Sequence, residues 1–96
     1  MRTVYLVTYD ISDPERLRRV FKIMRRRGEH LQLSVFRCVL NDRERIRLEV
    51  ELAAVIHHRQ DQVLFVDLGP EDGRGEKVIQ ALGRALEPQE RCAVIV

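Results

Sequence analysis

Cysteine is scarce in this chain. Cys38 and Cys92 are the only two, they form no metal-type pair, and both are expected to stay reduced. Long apolar runs are missing as well. None approaches the ~20 residues that a membrane helix needs, and Met1-Arg2 leads straight into strand-like sequence with no h-region or cleavage site. A cytoplasmic protein without membrane contact is therefore expected. Lysine is nearly absent, since only Lys22 and Lys77 stand among 17 basic residues. Arginine's planar fork suits bidentate phosphate contacts, although a GC-rich genome produces the same bias with no function attached. Acidic residues are missing from residues 16–27, where Arg16, Arg18, Arg19, Lys22, Arg25, Arg26 and Arg27 have no Asp or Glu between them. There is no internal repeat and no low-complexity tract.

What is present fits one small domain. Ninety-six residues, 45% of them hydrophobic, suffice for a core but leave much surface exposed, so oligomerisation is expected. The net charge of +2 names no partner, whereas the clustering of cations does. Residues 4–9 (VYLVTY) read as a strand buried on both faces. Ser12 with Glu15 three residues on forms a capping-box pattern, and Pro14 suits a first turn, so a helix is expected over residues 13–27. Its apolar stripe is Leu17, Val20, Phe21 and Met24, and Gly28 is placed to stop it as a C′ glycine.

The segment HLQLSVFRCVL is either one long strand or a hairpin turning near residues 32–34. Asn41 and Asp42 cap a second helix with Leu48, Leu52, Val55 and Ile56 facing inward. QVLFVDL is the next strand, followed by a glycine-rich loop over residues 69–75 that lacks the Lys-Ser/Thr ending of a phosphate-binding loop. Beyond it, Val78, Ile79, Leu82, Ala85 and Leu86 follow helical spacing, but Gly83 interrupts them and a short strand is an equal alternative. CAVIV (residues 92–96) reads as a terminal strand that should add to a sheet edge, in its own chain or a partner's. The element order is that of an α+β, ferredoxin-like βαββαβ sandwich, with residues 1–70 as core and 71–96 as a loop and dimer-associated C-terminal segment within one domain.

Two features stand out chemically. Arg18, Arg19, Lys22, Arg25 and Arg26 fall within roughly 120° on the helical wheel, opposite the apolar stripe. An ordinary solvated face mixes signs, so a face of cations alone points to phosphate. Asp10 ends the first strand, where an Asp is either an Asx-turn former or a ligand. With Ser12 as the cap, Asp10 is left uncommitted, and its hard oxygens suit Mg²⁺, with Mn²⁺ as a substitute. One carboxylate is thin coordination, and two chains about a two-fold axis would supply two. Asp61 and Asp67 are further carboxylate candidates. Adjacent His57 and His58 share no helical face and make a poor metal pair, while Ser34 has no His at a nucleophile's motif spacing.

YLVTYDISD, RLRRV and RRGEHLQLSVFRCVL together resemble the small CRISPR-associated adaptation protein, the second of the core CRISPR-associated proteins. The resemblance rests on Tyr9-Asp10, Arg18-Arg19, Gly28 and the run Gln32, Leu33, Ser34, Val35 and Phe36, and it is close over residues 3–40. It implies a two-fold homodimer with Asp10 as the metal-binding catalytic residue. Arg18, Arg19, Lys22 and Arg25 are the expected phosphate contacts, with Tyr9, Ser34 and Phe36 as supporting residues. It also implies endonuclease activity on RNA or double-stranded DNA, and a CRISPR integrase subunit as partner. The alternative is a non-catalytic, nucleic-acid-binding scaffold bridging integrase dimers.

Overall fold

The structure, a computed structural model, describes residues 1–73 and 79–86. Its elements are β1 (Thr3–Asp10), α1 (Pro14–Arg27), β2 (Glu29–Gln32), β3 (Val35–Leu40), α2 (Asp42–Ala53) and β4 (Gln62–Pro70). The sheet runs β2-β3-β1-β4 with every neighbouring pair antiparallel. β3 is thus inserted between β1 and β2, the split βαβ arrangement of a ferredoxin-like fold.

Strand alternation sends Tyr5, Val7 and Tyr9 of β1, with Phe36, Cys38 and Leu40 of β3, into one core. Val20, Ile23 and Met24 of α1 and Leu48 and Leu52 of α2 meet them there. Each side chain of this size, fully buried, contributes about 1.5–3 kcal/mol. HLQLSVFRCVL resolves as the hairpin, turning at Leu33 and Ser34 and leaving Leu33 91% exposed at its tip. Asn41 caps α2 in a full capping box: its side chain accepts from Glu44 N, and the Glu44 carboxylate accepts from Asn41 N. Val55 and Ile56 lie past the end of α2 but still pack against the core.

Several expectations are corrected. The cap of α1 is Asp13, whose Oδ2 accepts from Arg16 N at 2.9 Å; Ser12 is engaged elsewhere. The buried arc of α1 is Val20, Ile23 and Met24, while Leu17 is 40% exposed and Phe21 half-buried. α1 also packs against α2, and that second contact rotates the buried arc away from Leu17. Gly28 is not a left-handed cap, since its backbone is extended. A Cβ there would lie 2.5 Å from Cys38 Sγ and 2.6 Å from the Arg37 carbonyl oxygen, so a close approach to β3 is what demands glycine.

β1 is not covered equally on both faces. On the face away from the helices Val4 is fully buried, but Leu6 and Thr8 are only half-buried, and beside them Leu64 and Val66 of β4 are 49% and 42% exposed. Residues 79–86 form neither of the expected elements. Gly83 there has φ +92°, which belongs to neither a right-handed helix nor a strand. The expected terminal strand, residues 92–96, lies outside the described residues.

Candidate metal and nucleic-acid site

β1 ends at Asp10, which pairs in register with Gln62 of β4. It is exposed, and its side chain makes no hydrogen bond or ion pair with any described residue. Alternation gives it the same face as Leu6 and Thr8, the open face of the sheet. It borders a groove walled by Ile11, Leu17, Arg18, Phe21, Leu33 and Ser34. The exposed positions of Leu17 and Leu33 therefore gather beside the one uncommitted carboxylate of β1.

The residues just after Asp10 explain why it is left uncommitted. The Ser12 amide and hydroxyl both donate to Asp61 Oδ1, at 3.0 and 3.1 Å. Arg16 donates from Nε to Asp61 Oδ2 at 2.7 Å and from Nη2 to Oδ1 at 3.2 Å. The His57 amide adds a bond to Oδ2 at 2.8 Å. The Asp61 side chain is closed to solvent. Arg16 holds its carboxyl well below the usual carboxylate range, helped by the His57 and Ser12 donors and opposed by burial. Asp61 is thus fully committed and is no second ligand. Asp67 lies opposite Tyr5, far along β1 from Asp10, and its Oδ1 accepts from Gly69 N at 2.8 Å.

The cations of α1 divide into two groups. Arg16 belongs to Asp61. Arg26 reaches Glu51 of α2 at 3.3 Å, and Arg27 bonds the same carboxylate through Nε at 3.1 Å. Arg18, Arg19, Lys22 and Arg25 have no carboxylate partner among the described residues. Arg25 sits 5.4 Å from the centroid of the Phe21 ring. Only Arg18 borders the Asp10 groove, so the structure joins Asp10 to one of the four and leaves Arg19, Lys22 and Arg25 outside its walls.

The supporting residues build the floor. Phe36 is wholly buried, stacked on His30 at 4.7 Å and on Tyr9 at 6.2 Å, with Phe21 edge-on at 5.7 Å. Tyr9 is 6% exposed, and its hydroxyl has no hydrogen-bond partner among the described residues. Burial pushes the phenol up to about 12. The Ser34 carbonyl accepts from Tyr9 N at 3.1 Å, tying the hairpin tip to the end of β1. His58 bonds the Ala53 carbonyl through Nε2 at 3.0 Å.

Among the described residues no group of three His, Cys, Asp or Glu could hold a metal ion. An exposed, uncommitted carboxylate does fit Mg²⁺, which takes one or two carboxylates and keeps several waters. The sequence reading missed the clamp at Asp61. Its local trace is an Asp standing directly before a strand, four residues after the His57 amide that bonds it, while its Arg16 and Ser12 donors are 45 and 49 residues away.

Residues 1–74 match the family model described as CRISPR associated protein Cas2. The CRISPR-associated endoribonuclease Cas2 1 of Rhodospirillum rubrum is 44% identical over 92 residues, covering 96% of this chain and 89% of that protein. The CRISPR-associated endoribonuclease Cas2 of Geobacter sulfurreducens is 42% identical over the whole of both chains. Among solved structures, Streptococcus pyogenes Cas2 at pH 6.5 superposes with a TM-score of 0.73 at 30% identity, covering 83% of this chain and 99% of that one. No helix among the described residues is long and apolar enough to cross a membrane. A ferredoxin-like sheet, a strand-end Tyr-Asp pair and a family match over most of the length lead to one conclusion: the chain belongs to the Cas2 family of CRISPR-associated proteins.

Proposed function

We propose that two copies of this chain form a metal-dependent endonuclease of CRISPR adaptation, acting on RNA or double-stranded DNA beside an integrase subunit. The observation that carries this reading is Asp10: an exposed carboxylate with no described partner, at a strand end on the sheet's open face, bordering a groove with Arg18. Packing two open faces together about a two-fold axis would bring two Asp10 carboxylates toward each other. Mg²⁺ or Mn²⁺ bound there would polarise a phosphodiester and acidify a bound water. Tyr9, Phe36 and Ser34 support the strand end from below, while Arg18, Arg19, Lys22 and Arg25 engage phosphates. Leu64 and Val66, exposed on the face of Asp10 among the described residues, suit a second copy.

Asp10→Ala tests the reading. With labelled RNA and duplex DNA in Mg²⁺, cleavage should fall on the order of 100-fold or more. Nucleic-acid affinity should hold within about twofold, because the cations are untouched. Arg19→Ala should do the reverse, weakening binding and lowering the slope of log affinity against log salt by about one. Intact cleavage by Asp10→Ala would remove the site assignment. A wild-type protein that binds but never cleaves, and whose Asp10→Ala variant still supports spacer acquisition, would leave the scaffold reading.

A further inference from the structure

The most heavily bonded carboxylate among the described residues is buried beside the site and has no role in the chemistry outlined above. Asp61 directly precedes Gln62, the residue that pairs with Asp10. It also holds Ser12, two residues beyond Asp10, through that residue's amide and hydroxyl. A small closed loop results: Asp10 is paired to Gln62, Gln62 is joined to Asp61, and Asp61 is bonded back to Ser12. Arg16, one turn into α1, closes the far side of the carboxylate with a two-point contact, and Arg16 Nη2 reaches Ser12 Oγ and Gln60 Oε1, both at 3.3 Å. From these contacts we infer that Asp61 and Arg16 are positioning residues for Asp10, locking the turn over residues 11–12 so that the carboxylate leaves β1 in one direction.

The physical need for such a lock comes from the dimer. A last strand residue has ladder bonds on one side only, and a metal shared across a two-fold axis doubles any error in its carboxylate's position. Misplacement of about 1 Å can cost 100-fold in rate, and catalytic groups need support that holds them within about 0.5 Å. Buried, fully bonded Asp61 provides that support; Ser12 alone, exposed to water, could not. The inference also takes Arg16 out of the nucleic-acid surface. It is the first cation of the basic run, yet its guanidinium is spent on Asp61, Ser12 and Gln60.

This inference rests on the metal reading of Asp10, so its test measures Mn²⁺ binding by electron paramagnetic resonance beside single-turnover cleavage and nucleic-acid affinity. All are taken well below the melting temperature of every variant. Asp61→Asn keeps the shape and removes the charge. It should weaken Mn²⁺ binding and slow cleavage by about 10-fold or more, the range seen when outer-sphere partners of a metal site are removed, with nucleic-acid affinity within about twofold. In an Asp10→Ala background the same change should leave residual Mn²⁺ binding and rate unmoved, while lowering the melting temperature by the same amount as before. A purely structural clamp would lower the melting temperature and leave Mn²⁺ affinity and rate intact in the Asp10 background, which overturns the inference. Arg16→Lys keeps the charge but loses the two-point fork. It is the milder variant should Asp61→Asn not fold, and a smaller loss in the same direction is expected. If Arg16→Lys or Arg16→Ala instead lowers nucleic-acid affinity and salt slope as Arg19→Ala does, Arg16 is a phosphate contact and the inference fails. Absence of both Mn²⁺ binding and cleavage in the wild type overturns the Asp10 reading and this one with it; wild-type binding that Asp61→Asn leaves intact overturns the clamp alone.

Discussion

Tyr9 carries a buried hydroxyl that bonds to no described residue, next to the carboxylate on which the proposed function rests. A buried, unsatisfied hydroxyl is unfavourable by about 1–3 kcal/mol. Tyr9→Phe should therefore leave stability unchanged or raise it by about 1 kcal/mol in urea unfolding, and the ring contact with Phe36 should survive. The phenol also gives a pH signature. Its value in the folded chain, about 12, lies above the ordinary 10.0. The folded state thus keeps the proton longer than the unfolded chain does, and the contribution is present below pH 10 and lost as pH rises toward 12. Melting temperature should fall less steeply between pH 9 and 11 in Tyr9→Phe than in the wild type. A Tyr9→Phe protein that loses cleavage while gaining stability would show that the hydroxyl serves the reaction.

Helix α1 shows how one element serves three neighbours. Val20, Ile23 and Met24 face the core, Leu17 and Phe21 turn to the Asp10 groove, and the cations divide between carboxylate partners and solvent. Its junction with β4 is the Asp61 clamp, whose carboxyl titrates well below the usual range. Because the folded form holds the ionised state, this stability is fully present above about pH 4 and is lost as pH falls below it. Wild-type melting temperature should therefore drop more steeply below pH 4 than that of Asp61→Asn. The two curves, separated at neutral pH, should converge in acid, as differential scanning fluorimetry can show. Parallel curves would mean that the Arg16–Asp61 contact does not persist in solution.

At the scale of the whole molecule, the helices close one face of the sheet, and on the other the described residues leave Leu64 and Val66 exposed. Leu6, Leu64 and Val66 share that open face with Asp10. If it is the two-fold interface, the double variant Leu64→Lys with Val66→Lys should shift sedimentation from dimer to monomer. Cleavage should fall with the dimer although Asp10 is intact, since the proposed metal site takes a carboxylate from each copy. A variant that stays dimeric and active would put the interface elsewhere.

Local pattern alone determined the types of β1, α1, α2 and β4, the Asn41 cap and the family, because each is encoded within a few residues; the hairpin at residues 32–34 was one of two local readings until the sheet chose it. It also marked Asp10 and the four cations that have no carboxylate partner among the described residues, since charge clustering and strand-end position are visible without a fold. The reason first offered for Asp10, a cap at Ser12, did not hold: Asp13 is the cap, and Ser12 is held by Asp61. That exchange was decided by contacts spanning 49 residues. Tertiary packing likewise decided which edge of α1 is buried, that Gly28 is needed for contact with β3, and that Arg16 pairs with Asp61 while Arg26 and Arg27 share Glu51. These depend on where α2 and β4 come to rest, and short-range periodicity carries no information about a neighbour folded in from elsewhere in the chain.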